Sequence, residues 1–199
     1  MGRLTTCSLT AWTWSDLSVG RSRNFDAGAG STEVIEESHT IGVLVDNEAG
    51  VLARVIGLFA GRGYNIDSLT VAEVNADVQQ SRITIVTRGT PAVIAQIKAQ
   101  LDRLVPVHKV TDLTVEGPHV ERELMLIKVV GKGDNRLEAL RVADIFRARA
   151  VDSTDKSFVF EVTGNSEKLN AFINLMAPLG LTDVSRTGVV AISRGSEVF

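Results

Sequence analysis

The sequence predicts an α+β fold of two tandem βαββαβ units, the split βαβ arrangement of ferredoxin-like domains, behind an N-terminal stretch of different character. Three observations carry this. Apolar spacing switches between a period of two and a period near 3.6 along the chain. The order of elements from residue 39 to 115 repeats from 119 to 199. Hydrophobic residues make up 44% and charged residues 23% of the 199, enough apolar material for real cores.

In the first unit, His39–Val45 is a short apolar strand and Asp46–Gly50 a loop. Leu52, Val55, Ile56 and Phe59 then fall at i, i+3, i+4 and i+7, one face of a helix, and Gly63 suits a left-handed helix end. Ile66–Val74 is rich in strand formers, Asn75–Gln80 is turn material, and Ile83 and Ile85 alternate in a further strand. Thr90-Pro91 starts the second helix as N-cap and first residue, with Ile94, Ile97, Leu101 and Leu104 as its buried stripe. Val105–Val115 closes the unit, and Glu116-Gly117-Pro118 is the linker.

The second unit starts with the strand Leu124–Val130. Asn135 and Glu138 have capping-box spacing ahead of the helix face Ala139, Val142, Ala143 and Phe146. Ala150–Thr154 and Phe158–Thr163 read as strands, and Leu169, Phe172, Ile173 and Met176 as a helix face ended by Pro178 and Gly180. Val184 and Val189–Ser193 supply the last strand material. Units this small leave open sheet edges, which invite pairing with a second copy.

Met1–Ser38 scatters its apolar residues without a period and reads as a disordered or dispensable extension. Thr10, Thr13, Ser15 and Asp16 interrupt any secretory core. Arg3, Arg21 and Arg23 among serines suit an organelle transit peptide, but Asp16, Asp26, Glu33, Glu36 and Glu37 stand against it, and a cytoplasmic location is expected. A net charge of −3 argues against a nucleic-acid partner. No apolar run reaches the roughly 20 residues that span a bilayer. The single cysteine, Cys7, excludes an internal disulfide and any multi-cysteine metal site.

No catalytic constellation emerges. His39, His108 and His119 have no nucleophile motif beside them. His119-Val120-Glu121 matches half of a zinc-deaminase signature whose Cys-x-x-Cys half is missing. Gly131-Lys132-Gly133-Asp134 is too short to cradle a phosphate, and Glu121, Arg122 and Glu123 read as solvated surface. Residues 80–87 lack the aromatics of an RNA-binding sheet. The remaining candidate is Asp46–Gly50, which feeds a helix N-terminus where unpaired N–H groups favour an anion. Gly50 allows close approach, and Asn47 offers both donor and acceptor to a zwitterion. Asp46 and Glu48 disfavour a phosphate, and Asn65 could add a second polar contact. By spacing alone, an ordinary helix start accounts for this loop at least as well.

The run Asp46-Asn47-Glu48-Ala49-Gly50-Val51-Leu52-Ala53-Arg54-Val55 resembles an ACT-domain loop and helix. With its continuation from Gly57 to Val71, and with His119–Leu124 and Arg186–Gly195, the chain resembles the regulatory (small) subunits of acetolactate synthase over residues 39 to 195. Ala49 departs from the proline common in ACT loops. The resemblance implies an ACT domain at 39–115 and a C-terminal small-subunit domain at 119–199. It implies no catalysis and no cofactor in this chain. The partner would be a large catalytic subunit carrying thiamine diphosphate, Mg²⁺ and usually FAD, a transferase that condenses two pyruvates to 2-acetolactate and CO₂ in branched-chain amino-acid synthesis. The small subunit activates that enzyme and confers feedback inhibition by valine, bound where ACT domains of a homodimer meet. Asn47, Gly50, Asn65 and Ile66 would contact the effector's polar end, with Val45 and Ala53 near its side chain. The alternatives are an amino-acid-sensing ACT protein acting on another enzyme, and a small acylphosphatase-like enzyme. The latter needs an arginine in its anion loop, which this loop lacks.

Overall fold

The computed structural model describes residues 36–75 and 77–196, so all but the last three residues of the expected N-terminal extension lie outside it. The first unit runs β1 (Glu37–Asp46), α1 (Val51–Ala60), β2 (Ser68–Asn75), β3 (Gln80–Gly89), α2 (Pro91–Leu101) and β4 (Val107–Asp112). Its antiparallel sheet has the order β2-β3-β1-β4. Ile41, Val43 and Val45 of β1 alternate toward one face, as do Ile83 and Ile85 of β3. On that face they pack against Val51, Val55 and Phe59 of α1 and Ile94, Ile97 and Leu101 of α2.

The α1 face differs from the sequence expectation. Val51, Val55 and Phe59 are buried, whereas Leu52 and Ile56 are 37% and 40% exposed. The helix carries two adjacent apolar stripes, and the one in register with β1 takes the core. Its end follows the expected left-handed pattern, with Gly63 at φ +70°. Gly63 N–H donates to the Ala60 carbonyl and Tyr64 N–H to the Phe59 carbonyl, a Schellman closure. The accompanying apolar contact is the edge-on packing of Tyr64 on Phe59, ring centres 6.2 Å apart. Thr90 caps α2 as expected, its hydroxyl accepting from Val93 N–H. Val105 is exposed, and β4 starts two residues later, at Val107.

Lys98 of α2 reaches the linker, its Nζ donating to Glu116 Oε1 at 2.6 Å, and the same oxygen accepts the Asp112 N–H. Burial pushes the Glu116 carboxyl up, but these hydrogen bonds and the charges of Lys98 and Lys109 outweigh it, and its pKa ends below the ordinary value. A depressed folded pKa stabilises above the unfolded value and is lost as pH falls through the folded one. Glu116→Gln is therefore expected to lower the unfolding midpoint at neutral pH. The difference from the native chain should vanish below the carboxylate range, as denaturant titrations at both pH values would show.

The second unit runs β5 (His119–Val130), α3 (Asp134–Ile145), β6 (Arg149–Ser153), β7 (Ser157–Gly164), α4 (Ser166–Met176), a 3-10 turn (Ala177–Leu179), β8 (Leu181–Arg186) and β9 (Val190–Ser193). The sheet order is β6-β7-β5-β8. Met125, Ile127 and Val129 of β5 and Phe158, Phe160 and Val162 of β7 face the buried sides of α3 and α4. The capping box at Asn135 and Glu138 does not form. α3 starts two residues earlier, with Gly133 at the N-cap position, and Glu138 pairs with Arg141 instead. Asn165 caps α4 by accepting the Lys168 N–H.

β5 is longer than expected and serves two sheets. His119–Arg122 pairs with β9 in a ribbon, while Glu123–Val130 pairs with β7. The ribbon lies over the helix-free face of the first sheet, where Ala72, Val74 and Arg82 meet Val120, Val190 and Ile192 around a pocket of about 310 Å³.

Candidate functional site

The loop after β1 is fixed by its backbone. Asp46 N–H donates to the Pro106 carbonyl and Asn47 N–H to the Gln79 carbonyl. Gly50 then turns into α1 at φ +87°, a left-handed conformation that a β-carbon makes costly. A Cβ built there meets nothing within 4 Å, so the space in front of the helix is open. No side chain caps α1, and its first turn holds no acid. α2 and α4 are capped by side chains, and α3, though uncapped, has Asp134 in its first turn. Among these four helices, α1 alone has neither a side-chain cap nor an acid in its first turn to meet its positive dipole end. The Asn47 side chain and Ala53 are exposed beside it, and Val45 is buried beneath.

The other two expected residues sit elsewhere. The Asn65 carbonyl accepts from Thr87 Oγ1 at 2.6 Å, and Asp67 N–H donates to the Val86 carbonyl. Asn65 is exposed and Ile66 half-buried. Thr87 lies seven residues along β3 from Gln80, the residue after Asn47's partner Gln79. At about 3.4 Å per residue, the two groups are roughly 24 Å apart within one chain. The structure thus brings together Val45, Asn47, Gly50 and Ala53, and separately Asn65 and Ile66.

Two residues missed from the sequence complete the second group. Asn65 Nδ2 donates to Asp67 Oδ1 at 2.6 Å, and Arg88 Nε lies 2.8 Å from Asp67 Oδ2. Both line a cleft of about 870 Å³ that also touches Glu123, Arg186 and Gly188 of the second unit. Glu123, read from the sequence as solvated, is buried. Arg186 holds it through Nε at 2.8 Å and Nη2 at 2.6 Å. Its partner lies 63 residues on, so no local signal could reveal the pair. Of the histidines, His39 is buried with Nδ1 2.8 Å from Asp112, His108 pairs with Asp46, and His119 lines the cleft. Among the described residues no group of three or more His, Cys, Asp or Glu could hold a metal, and no helix is long and apolar enough to cross a membrane.

Comparison with known proteins agrees with this architecture. Residues 41–109 match the family model of the AHAS small subunit-like ACT domain, and residues 122–195 that of the small subunit of acetolactate synthase. The probable acetolactate synthase small subunit of Archaeoglobus fulgidus is 48% identical over 159 residues, 80% of this chain and 98% of that one. The isozyme 3 small subunit of Escherichia coli is 45% identical over 159 residues, 79% of this chain and 96% of its own. The crystal structure of the small subunit from Thermotoga maritima superposes with a TM-score of 0.74 at 38% identity, covering 81% of this chain and 99% of that one. The chain therefore belongs to the family of acetolactate synthase small subunits.

Proposed function

We propose that this chain activates a catalytic acetolactate synthase subunit and makes it sensitive to valine, which binds at a site completed by two copies of the chain. The observation that carries the reading is the bare N-terminus of α1 behind Gly50, with Asn47 beside it. A carboxylate suits the unpaired N–H groups and the dipole there.

The roughly 24 Å between the two groups of site residues supports a dimer. A valine cannot touch both within one chain. β2 is an edge strand whose Ser68 end lies near Asn65 and whose Asn75 end pairs with Gln80, near the Asn47 loop. If two β2 edges pair antiparallel, the Asn65 end of one copy meets the Gly50 end of the other, twice per dimer. Val71 and Val74 on β2 and Leu52 and Ile56 on α1 are the exposed apolar residues such pairing would cover. Thiamine diphosphate, Mg²⁺ and FAD in this reading belong to the catalytic subunit, and the assembly works in the cytoplasm.

The test is reconstitution. Adding the full chain to a purified catalytic subunit should raise acetolactate formation, and valine should then lower it. No change in rate on addition would favour an amino-acid-sensing ACT protein that acts on another enzyme. Titration calorimetry with valine, leucine and isoleucine would rank the effectors, which differ by only a methylene or its placement.

A further inference from the structure

β2 places Ser68 and Thr70 two residues apart on the sheet face away from α1 and α2, with Leu69 between them turned toward the core. Val189, from the segment joining β8 to β9, sits between the two hydroxyls. Its N–H donates to Ser68 Oγ at 2.9 Å, and its carbonyl accepts from Thr70 Oγ1 at 2.9 Å. Two side chains of one unit thus satisfy both backbone groups of a buried residue of the other. Gly188 stands beside them at φ +84°, where a Cβ would come within 2.7 Å of Ser68 Oγ and 3.0 Å of Thr70 Oγ1. A side chain here would press on both hydroxyls from a left-handed conformation that favours glycine.

Both ends of the contact lead somewhere. On the second unit, Thr187 N–H donates to the Leu124 carbonyl, and Arg186 grips Glu123, so the segment is tied to β5, a central strand of its sheet. On the first unit, Ser68 follows Asp67 directly. Asp67 holds the Asn65 amide on one oxygen and Arg88 on the other. An effector carboxylate that recruits Asn65 Nδ2 shares that amide with Asp67, and Asp67 is joined through the backbone to Ser68.

We propose that Ser68 and Thr70, bracketing Val189, are the clamp through which effector binding at Asn65 and Ile66 reaches the C-terminal unit. This rests on the effector reading above. Coupling of this kind is reciprocal, and its usual size is about 5- to 150-fold in affinity. Breaking the clamp should therefore weaken the valine response without touching the valine-free activation.

The experiment titrates L-valine into the catalytic subunit reconstituted with full-length chains. Thr70→Val keeps the shape and removes the donor, and should raise the half-inhibitory valine concentration by at least about fivefold. Ser68→Ala removes the other half of the bracket and should act alike. Thr70→Ser restores the hydroxyl and should stay within about twofold of native, a rescue that loss of packing would not produce. Inhibition of Thr70→Val and Ser68→Ala at the native valine concentration would overturn the clamp, as would loss of their valine-free activation, which marks a merely structural contact. A native chain that binds no valine would overturn the effector reading beneath it. That result is distinguishable because it needs no variant.

Discussion

Gly50→Asp should abolish valine inhibition of the reconstituted enzyme while leaving its activation intact. The fold tolerates the change. Aspartate accepts the left-handed conformation at φ +87° better than most residues, at a cost of order 1 kcal/mol. A negative charge at the α1 N-terminus returns about 0.3–1 kcal/mol. No neighbouring atom lies within 4 Å of a Cβ at this position, so nothing must move. The effector is affected differently. Two carboxylates about 4 Å apart at an effective dielectric of about 20 repel by about 4 kcal/mol, roughly a thousandfold in affinity. Gly50→Ala carries the backbone strain without the charge and should retain inhibition at a higher valine concentration. Acetolactate formation measured with and without valine separates the variants. Native-like inhibition of Gly50→Asp would place the effector elsewhere.

The largest stability effect is expected from Phe59→Ala. Phe59 is 1% exposed, packs within the first core, and carries the Schellman contact with Tyr64. Truncating a buried phenylalanine costs about 3–5 kcal/mol, whereas Phe59→Leu should cost about 1.5 kcal/mol or less. The two cores share no residue. Hydrogen exchange should therefore show β1 and β3 losing protection in Phe59→Ala before β5 and β7 do. Equal loss in both sheets would mean that the units unfold as one. Tyr64 precedes Asn65, so valine affinity should fall with this variant even where the fold persists.

Local signals in the chain carried most of the elements. Thr90-Pro91 announced α2 because a hydroxyl cap and a missing N–H suit the same two positions. Gly63 announced the end of α1 because the left-handed turn needs no Cβ. The misreadings share a cause. Val51 and Leu52, or Val55 and Ile56, are neighbours on a helix, and spacing cannot choose between adjacent apolar stripes. The choice falls to whichever stripe meets Val43 and Val45 on the sheet. Likewise Asn135 and Glu138 have the spacing of a cap, but Gly133 lets α3 begin before them.

The site divides in the same way. Asn47, Gly50 and Ala53 are close in sequence, so their grouping on one loop and helix start was legible from residue order. The residues also announced the α+β class and the doubling of the unit, because the alternation of apolar periods that marks each element spans only a few residues. Tertiary structure decided what depends on register. It set Asn65 roughly 24 Å from Asn47 along β3, buried Glu123 against an arginine 63 residues away, and laid Val189 between two hydroxyls 119 and 121 residues before it. Such pairs leave no trace in local spacing, because strand pairing brings together residues that the chain keeps far apart.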